Sequence, residues 1–206
     1  MVERAGNASK AAAVKEDMCA GYHTPVYSHA GRGHFQEVYE PAEDSFLLMD
    51  ALEKDARRLQ TISPAVCVEV GSGSGAVSAF LASVVGPSAL YICTDVNPAA
   101  AQCTENTASC NSVSLQPVIT DLVGSRGIEA AWAGGTRGRE VTDRFLPLVT
   151  ELLSTTGLFY LITIAENDPE DIINFLGKRG LQGESRLTTR AGNERLSVLR
   201  FHRRQT

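Results

Sequence analysis

The chain has 206 residues, a net charge of −5, a pI near 5.4 and 43% apolar residues. That length fits one domain, and that apolar share supplies a globular core. The acidic balance argues against tight, non-specific nucleic-acid binding, which needs Lys and Arg to neutralise phosphates. No uninterrupted apolar run reaches the roughly 18 residues that span a bilayer, so no membrane partner is expected.

Residues 1–20 are rich in Ala and charge and lack aromatics. They read as a disordered or frayed tail, and the whole of residues 1–30 is expected to be a disordered or extended arm preceding one domain at 31–206. Residues 31–45 form a loop leading into a helix near Asp44–Leu59, with Glu43 and Asp44 at its positive N-terminal end. The spacing then predicts a strand at 66–70, a helix at 75–85, a strand at 89–94, a helix at 98–110 and a strand at 116–120. Asn97-Pro98 opens the second of those helices, with Pro at its first position. Residues 124–138 are glycine-rich and read as loop with one helical turn at 128–132. A helix at 139–153, a strand at 158–164 and a helix from Asp168-Pro169 to Gly180 follow. Alternation in Leu196–Phe201 predicts a last strand, paired with 184–189. Strands alternating with helices predict a doubly wound, mostly parallel α/β sheet with antiparallel strands at its end.

The cysteines are Cys19, Cys67, Cys93, Cys103 and Cys110, an odd number without a CxxC pair. Cys67 and Cys93 fall in predicted buried strands, where a thiol acts as a small hydrophobe. A reduced, intracellular setting, cytoplasmic or nuclear, is expected. No His or Cys cluster has metal-ligand spacing.

The chemistry concentrates at Val66–Gly75, an apolar run carrying Glu69 that leads into Gly71-Ser72-Gly73-Ser74-Gly75. A second apolar run, twenty residues past Gly75, ends in Asp95. This is the layout of a nucleoside-binding βαβ unit, with glycines for the tight turn and an acid for ribose hydroxyls. In a dinucleotide site the turn would face a pyrophosphate, supported by the helix N-terminus. Glu69, two residues before the first glycine, opposes such a phosphate. It suits a ligand with an ammonium or sulfonium group, such as S-adenosylmethionine. Asp95 would accept from the ribose hydroxyls, and Asp121, at the end of the third strand, from the exocyclic amine of adenine. Each acid taken alone could simply be solvated. Their common place, at the carboxyl ends of consecutive parallel strands, is where open α/β sheets bind ligands.

Glu69–Gly75 resembles the first motif of class I S-adenosylmethionine-dependent methyltransferases. Tyr39–Ser45 (YEPAEDS), Thr94–Pro98, Thr120-Asp121-Leu122 and Gly127–Gly135 (GIEAAWAGG) resemble the HemK-type protein-glutamine methyltransferases, and within them the branch that methylates the GGQ glutamine of translation release factors. The likeness runs from about Gly31 to about Phe201. It implies a Rossmann-like class I methyltransferase fold with S-adenosylmethionine as cofactor. Ser45, Glu69, Gly71, Gly73, Asp95, Asp121 and Leu122 then line the cofactor pocket. It also implies a small zinc-binding activator subunit on an apolar surface near the third strand, where Val118 and Ile119 lie, and a release factor as substrate.

One departure is large. The family places a fourth strand after the Asp-Leu pair, ending in an Asn-Pro-Pro-Tyr loop that accepts both protons of the substrate amide. Here Leu122-Val123 runs directly into Gly124, and that tetrapeptide occurs nowhere in the chain. No catalytic residue is therefore assigned, and turnover is expected to be absent or greatly reduced. The missing strand is central, so the strand at 158–164 must either close onto the first strand or leave a gap of unpaired backbone groups. Three further readings stay open: a non-catalytic protein that keeps the cofactor or partner surface, an adenine-N6 nucleic-acid methyltransferase, and a dinucleotide oxidoreductase, which Glu69 disfavours.

Overall fold

β-Branched and apolar residues at alternate positions make Val66–Val70 (β1), Leu90–Asp95 (β2) and Gln116–Ile119 (β3) three parallel strands, in the order β1-β2-β3. The structure is a computed structural model that describes residues 21–121 and 138–204. Ahead of the strands lie α1 (Glu43–Lys54) and α2 (Ala56–Ile62); α3 (Ala76–Val85) and α4 (Pro98–Cys110) connect them. The Asn97 side chain caps α4 by accepting from the Ala99 amide at 2.9 Å, with Pro98 at the first helical position. Beyond residue 138 come α5 (Glu140–Leu152), β4 (Leu158–Ile164), α6 (Pro169–Gly177), β5 (Leu181–Ala191) and β6 (Glu194–Arg203). These strands form a second, antiparallel sheet in the order β4-β6-β5.

Among the described residues the two sheets share no strand pairing. β1 has β2 on one side and no strand on the other; β4 has β6 on one side and no strand on the other. Of the two outcomes the sequence allowed, closure of β4 onto β1 is not seen among the described residues. The helical layer explains why. Leu158 and Tyr160 of β4 pack against the core of α1, α2 and α3, while Cys67 of β1 packs against residues of α3 and α4. Each strand is held by its own helical contacts, and neither slides across to the other. Val66, Val68 and Val70, on the face of β1 turned away from α3 and α4, are 41–58% exposed.

Several expectations are corrected. The single helix at 44–59 is two helices that break at Asp55, where φ is −102° and ψ is 7°. Asp55 is buried and held by Arg186, Arg200 and the Tyr160 hydroxyl, and these bonds fix it out of helical conformation. Residues 21–30, assigned to the tail, pack on the domain: Ala30 is fully buried, and the Val26 amide donates to Asn111 Oδ1 at 2.7 Å. Cys93 is buried as expected, but Cys67, packed against α3 and α4, is only half-buried. The hairpin strands β5 and β6 are longer than 184–189 and 196–201. The helical turn at 128–132 and Leu122 lie outside the described residues.

Candidate functional site

The turn after β1 depends on glycine. Gly71, Gly73 and Gly75 adopt φ of +75°, +50° and +75°, the left-handed region that costs other residues about 1–2 kcal/mol. The amides of Gly71 and Ser72 both donate to the Thr94 carbonyl, at 2.8 and 3.0 Å, which docks the turn on the end of β2. From below, α4 grips it: Thr107 Oγ1 donates to the Ser74 carbonyl at 2.6 Å and Thr104 Oγ1 to the Gly73 carbonyl at 3.3 Å. A Cβ at Gly75 would stand 2.8 Å from Thr104 Cγ2, so this glycine is required by close approach as well as by φ. At Gly71 and Gly73 a Cβ would meet nothing within 4 Å, so the turn faces open space there.

Two acids flank that opening. Asp95, the last residue of β2, accepts from the Gly73 amide through Oδ2 and from the Asn97 amide through Oδ1, both at 2.9 Å. Each oxygen keeps a further lone pair for an incoming hydroxyl. Glu69 Oε2 accepts from the Ser78 amide at 3.1 Å and from the Ser78 hydroxyl, in the first turn of α3. Burial pushes the Glu69 carboxyl up to about 7; the Ser78 bonds pull it down and the neighbouring Asp95 charge adds to the rise. Two carboxylates this close welcome a cation and repel a phosphate. The Ser72 hydroxyl is buried without a hydrogen-bond partner among the described residues, a polar group in the turn left for a ligand to satisfy.

Of the residues expected to line the pocket, Glu69, Gly71, Gly73 and Asp95 are brought together around this turn. Ser45 lies in the first turn of α1, where its amide and hydroxyl both donate to Asp44 Oδ1, at 2.7 and 3.3 Å. Asp121 is exposed two residues past β3. The sequence reading did not single out Ser78, Thr104 or Thr107. Ser78 sits three residues past the last glycine, and the two threonines share one face of α4 at helical spacing.

A separate open cavity of about 290 Å³ lies between the start of α1 and the ends of β4 and the β5–β6 hairpin, lined by Tyr39, Glu43, Asp44, Ile164, Asn167 and Glu194. No residue of the glycine turn lines it. Tyr39 donates to Asp44 Oδ1 at 3.0 Å, and burial together with that carboxylate pushes its phenol up to about 12. Among the described residues no group of His, Cys, Asp or Glu is placed to hold a metal ion.

No protein-family model matches the chain. It is 56% identical to a mouse (Mus musculus) protein named Methyltransferase HEMK2, over 86% of this chain and 95% of that one. It is 32% identical to the eRF1 methyltransferase catalytic subunit mtq2 of Schizosaccharomyces pombe, over 87% of this chain and 95% of that one. Among solved structures, the E. cuniculi Mtq2-Trm112 complex, described as methylating the eRF1 translation termination factor, matches with a TM-score of 0.63 at 23% identity, over 82% of this chain and 99% of that one. That last likeness speaks to fold. The alignment to the mouse protein runs over 206 positions, whereas 86% of this chain is about 177 residues, so about 29 positions of the relative have no counterpart here.

Proposed function

Because the chain belongs to the HEMK2 methyltransferase family, we propose that its glycine turn holds S-adenosylmethionine and that its fold descends from an enzyme methylating the glutamine side chain of a translation release factor. The observation that carries this reading is the pairing of Glu69 and Asp95 around the open Gly71 and Gly73. When bound, S-adenosylmethionine supplies an electrophilic methyl group on a sulfonium. Asp95 would take the ribose hydroxyls, and Glu69, as carboxylate, would face the cationic methionine portion. Asp121, Ser45 and Leu122 are proposed to close the pocket around the adenine and the donor end. The donor half of the machinery is thus retained. The Asn-Pro-Pro-Tyr segment that would hold the acceptor amide is missing from the sequence, so this chain binds the donor and transfers its methyl group weakly or not at all.

The activator subunit has its surface. β3 is the outer strand of the first sheet, and its Val118 and Ile119 are 42% and 58% exposed. Apolar residues on a free strand edge are suited to a partner that adds to the sheet.

The test is calorimetry of the purified chain with S-adenosylmethionine and, in parallel, NADH. Saturable binding of the first and none of the second is expected. Tight NADH binding would overturn the reading in favour of a dinucleotide enzyme.

A further inference from the structure

Among the described residues, β1 and β4 each leave one strand edge unpaired, and both strands pack against α3. β1 offers the open edge of five residues and β4 the open edge of seven, both beneath the helical layer of α1 and α3. Among the described residues, backbone N–H and C=O groups along both edges have no sheet partner, and only an extended backbone satisfies two edges at once. The walls carry no charge toward the gap. Val66, Val68 and Val70 share one face of β1, the one acid of that strand turns to Ser78 on α3, and β4 reads Leu158-Phe159-Tyr160-Leu161-Ile162-Thr163-Ile164. Neither edge has the lysine, proline or bulge that normally guards an exposed strand. The aligned relatives carry about 29 positions that this chain lacks, enough for a strand and its connections.

We propose that this gap is a strand-acceptor groove, which takes an uncharged, extended apolar segment of another polypeptide between β1 and β4 and so joins the two sheets into one. The occupant is set by the site: about five to seven residues long, from the lengths of the two edges, uncharged to match the walls, and apolar on both faces like other central strands of parallel sheets. The groove is independent of the glycine turn, and its filling is read without the cofactor.

The test uses the full chain and a capped synthetic peptide of seven alternating valines and leucines, flanked by paired lysines for solubility. A control peptide of the same sequence is N-methylated at alternate amides, which removes backbone donors and keeps the apolar side chains. Binding of the first peptide should raise amide hydrogen-exchange protection at least tenfold in residues 66–70 and 158–164 together and raise the thermal midpoint. The N-methylated peptide should do neither. Val68→Lys should weaken binding at least tenfold, and Val118→Lys, on the same face but two strands away, should leave it unchanged. If V68K fails to fold, the two peptides on the unaltered chain still decide. Equal binding of the methylated peptide would overturn the proposal and reduce it to apolar adhesion. Protection confined to β3, or no binding, would also overturn it. A dimer that already protects residues 66–70 before peptide is added would assign the edge to a second copy instead.

Discussion

Arg200 Nη1 lies 2.7 Å from both carboxylate oxygens of Asp55, so one guanidinium nitrogen of β6 holds the break between α1 and α2. The pair is nearly out of water, with side-chain exposures of 10% and 3%. Arg186 of β5 and the Tyr160 hydroxyl of β4 reach the same carboxylate at 2.7 Å, and Arg200 also touches Glu184. All three strands of the second sheet therefore converge on one residue at the break between α1 and α2, the helices that pack on α3 beside the first sheet. With no strand pairing between the sheets among the described residues, this cluster and the apolar contacts of α1 and α2 with α3 help to carry the connection.

Removing Asp55 should consequently unseat one half of the molecule from the other. Asp55→Ala leaves the buried Arg200 guanidinium and the half-buried Arg186 short of their partner, and breaking a buried pair costs about 3–5 kcal/mol. Denaturant unfolding should show that loss, or no folded state at all. A change under about 1 kcal/mol would mean that the apolar contacts suffice. Burial alone would raise the Asp55 carboxyl, but bonds from Tyr160, Arg200 and Arg186 hold it below the ordinary 3.8. An acid depressed on folding stabilises the native state above its unfolded value and loses that contribution as pH falls through the folded one. The cluster should hold at neutral pH and fail only in strong acid.

Glu69 predicts the opposite direction. Its carboxyl is raised to about 7 by burial, so the ligand-free native state binds a proton that the unfolded chain has already released. Stability of the free protein should fall as pH rises from about 4.5 to about 7. A cationic ligand needs the carboxylate, so affinity for S-adenosylmethionine should rise about tenfold per pH unit below 7 and level off above it, with proton release on binding visible in buffer-dependent calorimetry below pH 7. Glu69→Gln should weaken binding at pH 8 by about 1–3 kcal/mol and flatten the profile. A parent profile already flat from pH 6 to 8 would remove Glu69 from the site.

The glycines separate fold from ligand. Gly75→Ala places a methyl 2.8 Å from Thr104 at a φ of +75° and should cost about 1–3 kcal/mol of stability. Gly71→Ala has the same φ with open space beyond it, so its cost should stay near the 1–2 kcal/mol of the left-handed backbone while ligand affinity drops. Thermal unfolding with and without S-adenosylmethionine distinguishes the two. Equal loss of affinity per unit of stability in both would indicate that the turn is only structural.

What the sequence revealed and concealed follows from range. The Asn97-Pro98 cap is set by neighbours two residues away, and the glycine turn and Asp95 stand out by their residue types and spacing, although the bonds that hold them reach 22 to 33 residues along the chain. The alternation of strands with helices likewise placed most elements within a few residues of their observed ends. The break at Asp55 was invisible because its causes, Arg186 and Arg200, lie 131 and 145 residues away. Ser78 was missed because a serine inside an apolar helix carries no signal until the strand that bears Glu69 is laid beside it. The gap was legible as an absence, since Leu122-Val123 leads into glycine where another strand would begin; which of its two outcomes held depended on helical packing that no local pattern records.

Stability should reflect that gap. Among the described residues one edge each of β1 and β4 has no strand partner, and the valines of β1 are exposed. Amide protection in 66–70 and 158–164 should be weak compared with β6, which is paired on both sides. A dye that senses apolar surface should bind the native chain. A sharp, two-state transition above about 60 °C would contradict this and imply that the sheets have joined.

Methyl transfer is the last step the chain can be asked to perform. A primary amide nitrogen is a poor nucleophile because its lone pair is delocalised into the carbonyl. The family resemblance implies an Asn-Pro-Pro-Tyr loop that holds both amide protons and aims the nitrogen at the methyl group. Around the glycine turn this chain offers Glu69 and Asp95, which its donor site occupies, and Asn97, whose side-chain oxygen is committed to the Ala99 amide at 2.9 Å. Asn111 is bonded to Val26 and Thr107 and lies at the far end of α4. No described residue near the turn replaces the pair of acceptors. Orientation can contribute roughly 7–11 kcal/mol to such a reaction, about five to eight orders of magnitude in rate, so turnover should fall by at least several orders of magnitude. The measurement is transfer of labelled methyl from S-adenosylmethionine to a release factor containing the GGQ motif, with the zinc-binding activator present, beside a relative that keeps the loop. Turnover within tenfold of that relative would show that a partner or another residue supplies the acceptors.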